Sequence, residues 1–212
     1  TAGIRKKARV SDKIEKFSIL KTFESIDESD VVVLLIDGVA GLTEQDSKLG
    51  GYVAEAGKAL VIAVNKSDRI TNSKRERIKF QIDDKLKFLS FSSKIFLSAL
   101  AGSGLHHLLL SVERAHKAAT TRLGSSTLNK ALIAAQQKQS PPMIGRHRPK
   151  LKFAHQGGVS PPRIVIHGTS AHKLPESYQR FLKNHFMNTF KLRGTPLKLI
   201  FRSSVNPFRH SR

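Results

Sequence analysis

The sequence predicts an α/β fold in which a parallel sheet with covering helices is followed by a smaller, strongly basic α+β module. Three observations carry this. Two short apolar runs rich in β-branched residues, 31–36 and 59–64, alternate with stretches of helical periodicity, and strands alternating with helices imply a parallel sheet. The length of 212 residues fits one or two domains. Charge is also uneven: residues 1–119 hold 20 Lys/Arg against 15 Asp/Glu, whereas residues 120–212 hold 17 Lys/Arg and a single acid, Glu176. That asymmetry divides the chain into an expected first module (1–119), a small polar linker (120–127) and a second module (128–212).

Ile14, Phe17, Leu20, Phe23 and Ile26 recur at helical spacing, so residues 12–28 read as an amphipathic helix. The run at 31–37 suits a strand buried on both faces. Thr43 is placed to cap a helix over 44–57, with Asp46 three residues on completing a capping box. Residues 60–65 form a second buried strand, 73–87 a charged helix and 95–98 a short third strand. Ser103 then caps a helix with Leu105, Leu108, Leu109 and Val112 on one face. In the second module, a short helix carrying Leu128, Leu132 and Ala135 ends before Ser140-Pro141-Pro142. A strand over 146–155, a turn at Gly157-Gly158 and a strand over 163–167 follow. Pro175 opens a helix with Tyr178, Phe181, Leu182, His185 and Phe186 on an apolar side, and the last strand covers 196–201. The order α-β-β-α-β gives one sheet with helices on one face.

Composition excludes several classes of function. With no cysteine there are no disulfides and no thiolate metal sites, and a reducing cytoplasm is compatible. Apolar runs of this length cannot span a bilayer, and no signal peptide opens the chain. The chain starts with Thr1, as expected of a processed or partial sequence. Nine histidines occur without an HExxH or paired ligand spacing, so no metal site is expected. The net charge of +21 favours a polyanion, with RNA the foremost candidate; a solvated basic surface is the alternative.

The most informative stretch is the strand that runs into Asn65-Lys66-Ser67-Asp68. A purine with an amide-like edge is read by a carboxylate accepting two parallel N–H bonds, the role suited to Asp68. Asn65 and Lys66 brace the loop and cover the flat face of the base. Ser98-Ala99-Leu100 lies at the carboxyl end of the third strand, on the same sheet edge where open α/β sheets bind ligands. Its backbone N–H groups suit the base carbonyl. A carboxylate on one side and a donor on the other select guanine over adenine. Charge-assisted bonds of this kind contribute about 1.5–3 kcal/mol each, and unpaired polar groups reject a wrong base by roughly 10⁴-fold.

In the second module Arg146, Arg148, Lys150 and Lys152 fall at alternate positions, which on a strand puts four cations on one face. Such a stripe makes salt-sensitive, sequence-independent phosphate contacts; an edge strand blunted with cations is the alternative.

Thr1-Ala2-Gly3 followed by Ile-Arg-Lys-Lys resembles the end of the DTAGxRKK switch II segment of the bacterial Der (EngA) GTPases. Glu15-Lys16-Phe17-Ser18, Gln45-Asp46, the NKSD and SAL motifs and the basic tail continue the resemblance over the whole chain. It implies the back half of a Ras-like P-loop G domain, from switch II remnant (Thr1, Ala2, Gly3, Ile4) to base-binding loops, joined to a KH-like domain. It further implies GTP and GDP as ligands, Mg²⁺ and K⁺ near the phosphates, and action with rRNA in assembly of the large ribosomal subunit. No membrane role and no DNA specificity are expected.

The chain departs from that pattern in ways that matter. No GxxxxGK[ST] occurs: Gly57-Lys58 is followed by Ala59. Ile4 stands where Ras-like enzymes often carry a water-positioning glutamine, and an apolar side chain cannot orient water. Phosphoryl transfer depends on positioning and charge around the phosphates, so the 212 residues alone are expected to hydrolyse GTP poorly. The second module also lacks the GxxG loop of RNA-binding KH domains. An RNA- or ribosome-binding adaptor without nucleotide turnover is the rival reading.

Overall fold

A computed structural model describes residues 12–203, with side chains from residue 20 onward. Thr1, Ala2, Gly3 and Ile4 lie outside the described residues. The chain forms two compact units: the described residues up to Lys117 with Arg193–Pro196, and Ala118–Leu192 with the described residues from Leu197 on.

The first unit runs α1 (Asp12–Glu28), β1 (Val31–Asp37), α2 (Glu44–Glu55), β2 (Ala59–Asn65), α3 (Asn72–Lys85), β3 (Ser93–Phe96) and α4 (Leu105–Thr120). Its three strands are parallel in the order β1-β2-β3, with Asp37 in register with Asn65. β2 is the centre, and residues 59–64 are at most 2% exposed. Six consecutive apolar residues suit a strand with neighbours on both edges and cover on both faces. The box at the start of α2 is complete: Thr43 Oγ1 accepts from Asp46 N, and Asp46 Oδ2 accepts from Thr43 N at 2.9 Å. α4 starts differently from expectation. Gly104, not Ser103, takes the capping position, since Leu108 N donates to the Gly104 carbonyl. Gly104 has φ +79°, and a Cβ there would sit 2.6 Å from the Phe96 carbonyl oxygen, so only glycine fits.

The expectation that β1 is covered on both faces is corrected. Leu34 and Ile36 are buried, but Val33 and Leu35 are 38% and 54% exposed. β1 is an edge strand among the described residues, and its apolar run therefore splits into an inner and an outer row.

The second unit holds α5 (Ser125–Lys138), β4 (Lys150–Gly158), β5 (Arg163–Thr169), α6 (Glu176–Thr189) and β6 (Lys198–Ser203). β4 pairs antiparallel with β5, and β5 parallel with β6. α4 is unbroken to Thr120 and α5 begins at Ser125, so the irregular connection is 121–124, shorter than the 120–127 expected. Ser125, Ser126 and Thr127, linker by composition, form the first turn of α5, and Leu128 N donates to the Gly124 carbonyl.

The core of this unit joins Leu128 and Leu132 of α5, Ile164 and Ile166 of β5, and Tyr178, Leu182 and Phe186 of α6. The Tyr178 hydroxyl donates to the Gln139 carbonyl at 2.8 Å, and burial pushes its pKa up to about 12. A group protonated more tightly in the fold stabilises fully below its unfolded pKa of about 10, and that share is lost as pH rises through the folded value. The second unit is therefore expected to weaken between about pH 10 and about pH 12. Tyr178→Phe should flatten that limb while removing about 1 kcal/mol of hydrogen bonding, as read by circular dichroism alongside phenolate absorbance. An unchanged alkaline limb in the variant would assign the loss to another group.

Candidate functional site

β2 and β3 deliver two loops to one edge of the sheet. Leu97 N donates to the Val64 carbonyl, and Ser67 N to the Leu97 carbonyl, which carries the pairing past the ends of both strands. Gly38, just beyond β1, donates to the Asn65 carbonyl at 2.9 Å; a Cβ there would lie 2.6 Å from that oxygen. The close approach of the β1 and β2 ends thus needs glycine at this position.

Within this frame the structure brings together Asn65, Lys66, Asp68, Ser98 and Ala99. Asn65 Oδ1 accepts from Lys66 N at 2.7 Å and from Ala99 N at 3.0 Å, so one side-chain oxygen ties the two loops. The Ala99 N–H, expected to face a base carbonyl, is thus engaged within the protein; a base must share or displace this bond. Lys66 has left-handed backbone, φ 62° and ψ 36°, a conformation costly for a residue with a Cβ and sustained by its surroundings.

The Lys66 ammonium is anchored on Asp37 Oδ2 at 2.8 Å, and Asp37 is itself only 7% exposed. Asp37 Oδ1 accepts from Val39 N and Ala40 N. The ammonium is thus engaged with Asp37, which leaves the aliphatic stem of Lys66 as the part able to cover a base face. Sequence reasoning misses Asp37. Its signal is an acid ending an apolar strand, in register with Asn65 across the sheet.

Asp68 is exposed, and the Ser98 hydroxyl side chain holds its carboxyl below the usual carboxylate value; desolvation opposes this, while the Asp68 backbone N–H and Arg69 reinforce it. Ser98 is 1% exposed and its Oγ also accepts from Ala101 N at 3.2 Å. Leu100, by contrast, is 92% exposed. The arrangement presents an exposed carboxylate beside an apolar stem, with a loop whose Ala99 and Ala101 N–H groups are already bonded within the protein. Among the described residues no group of three or more His, Asp or Glu side chains is placed to hold a metal ion.

The four cations of the second unit do not share a strand face. Arg146 and Arg148 precede β4, next to a turn closed by the Ile144–His147 bridge. Only Lys150 and Lys152 lie on β4, and a bulge interrupts the alternation: Leu151 pairs with Gly168 and Phe153 with His167, leaving Lys152 as the extra residue. All four are exposed.

Comparison with known proteins gives two family matches that overlap over residues 122–138. A family model described as the GTP-binding domain of elongation factor Tu matches residues 16–138. A second, described as the C-terminal KH-domain-like region of EngA bacterial GTPase enzymes, matches residues 122–202. A protein named GTPase Der from Variovorax paradoxus (strain S110) is 46% identical over 208 residues, 98% of this chain and 46% of that protein. GTPase Der from Pseudoalteromonas translucida (strain TAC 125) is 45% identical over 98% of this chain and 43% of its own length. The chain spans slightly under half the length of these curated relatives. A solved structure described as a probable GTP-binding protein engB overlays 54% of this chain and 73% of its own, with a TM-score of 0.46 and 19% identity. The two family models in sequence order, with near-complete alignment to Der proteins at this identity, show that the chain belongs to the Der (EngA) family of GTPases.

Proposed function

We propose that the first unit binds the base of GTP or GDP within a GTP-hydrolysing protein, and that the second unit engages rRNA during assembly of the large ribosomal subunit in the cytoplasm. Residues 1–119 and 128–212 then act as a nucleotide module and an RNA module. The observation that carries the first part is the pair of hydrogen bonds that Asn65 Oδ1 accepts from Lys66 N and Ala99 N, which hold both loops beside the exposed Asp68 carboxylate. Asp68 reads the two N–H groups of the guanine edge, the Lys66 stem covers one face, and the loop at 98–100 meets the carbonyl. Support for the RNA part comes from the 17 Lys/Arg against one acid in residues 120–212.

Hydrogen exchange on the chain with and without GDP tests the nucleotide reading. Amides at 65–70 and 97–104 are expected to gain protection, while those of the second unit stay unchanged. RNA or ribosome binding with no GDP-dependent protection anywhere would replace it with the adaptor reading, which the same charge excess favours.

A further inference from the structure

On the face of the second sheet opposite α5 and α6, three rings stand together. Phe153 and His167 are cross-strand neighbours whose centroids lie 4.4 Å apart at an interplanar angle of 8°, and His155 lies 5.2 Å from His167 at 25°. The bulge at Lys152 produces this: it turns Phe153 away from the core side held by Leu151 and Ala154, which are 6% and 1% exposed. Phe153 is 46% exposed although His167 covers one of its ring faces. Because β4 is the edge strand of the order β4-β5-β6, the uncovered face looks outward from the end of a stack.

Three features select the occupant. The edge of β4 is closed to strand addition: Asn129 of α5 bonds both N and O of Ala154, at 2.8 and 3.2 Å, and Gln136 donates to the Leu151 carbonyl. Exposed Lys150 and Lys152 flank Phe153, and Arg202 shares its row on β6. A planar, uncharged group carried on a polyanion matches a bare ring face ringed with cations. The His167 ring is held neutral at neutral pH, its pKa lowered by burial and then by His155 and Arg202, so the stack carries no charge of its own at that position.

We propose that the outer face of Phe153 stacks an unpaired base of single-stranded RNA, with Lys150 and Lys152 on the flanking phosphates. The proposal rests on the RNA reading of the second unit and adds a contact that needs neither a GxxG loop nor the four-cation stripe.

The test is anisotropy of the full 212-residue chain with a fluorescein-labelled oligouridylate of about twelve nucleotides, within the usual range for single-strand sites. Phe153→Leu is expected to weaken binding roughly tenfold, in line with loss of one stacked base. Lys152→Ala should weaken it less and reduce the slope of log K against log salt by about 0.7. The chain has no tryptophan, so Phe153→Trp supplies a single reporter whose emission should be quenched at saturation. Unchanged affinity in Phe153→Leu, or unquenched indole emission from the Phe153→Trp chain, overturns the stacking contact and leaves the RNA reading intact. Binding of duplex RNA in preference to the single strand does the same. Failure of the unsubstituted chain to bind any RNA overturns both.

Discussion

Asp68→Asn is expected to reverse the base preference of the first unit from guanine to xanthine. In the proposed site the carboxylate accepts from both N–H groups along one guanine edge, and each charge-assisted bond contributes about 1.5–3 kcal/mol. Asparagine keeps one acceptor and turns the other position into a donor. Against guanine that donor meets an amino group; against xanthine it meets a carbonyl. GDP affinity should fall by at least about 10- to 10²-fold, the one lost charge-assisted bond expressed as a ratio, and xanthosine diphosphate should become the better competitor for a fluorescent nucleotide. The bonds of Asn65 Oδ1 to Lys66 N and Ala99 N do not involve the substituted carboxylate, so the loops keep their shape. Retained preference for GDP would place the base elsewhere on the protein.

The second large effect concerns the core of the second unit. Phe186 is 0% exposed, sits in one cluster with Leu182, Ile164 and Ile166, and stacks on Phe190 with centroids 6.0 Å apart. Replacing it with alanine removes a buried aromatic and leaves a cavity that surrounding helices and strands fill only in part. The expected loss is about 3–5 kcal/mol, a large share of the roughly 5–15 kcal/mol that holds a domain folded. Hydrogen exchange resolves the effect by unit: β5 amides should lose their protection while those of β2, in the other unit, keep theirs. A urea midpoint for the second unit within error of the unsubstituted chain would show that the site collapses without cost.

Much of the plan was legible because it rests on local rules. Apolar runs bounded by polar turns marked β2 and β5, helical spacing marked α1 and α6, and Thr43 with Asp46 announced the start of α2. Placing Asn65 and Ser98 at one sheet edge needed only the alternation of strands and helices. What stayed hidden depends on neighbours that no local pattern names. The outer row of β1 is exposed because β1 pairs on one side only, among the described residues. Asp37 serves Lys66 because the register sets it beside Asn65. The bulge at Lys152 overrides an alternation that looked regular from 146 to 152, and the turn at 144–147 removes two arginines from the strand. Gly104 displaces Ser103 at the head of α4 because the Phe96 carbonyl leaves no room for a side chain.

A carbonyl oxygen has two lone pairs, and both pairs of Asn65 Oδ1 are spent on the protein itself, on Lys66 N and Ala99 N. The first letter of the motif is thus a structural rivet, needed with or without a nucleotide, and in the proposed function only the last is the reader.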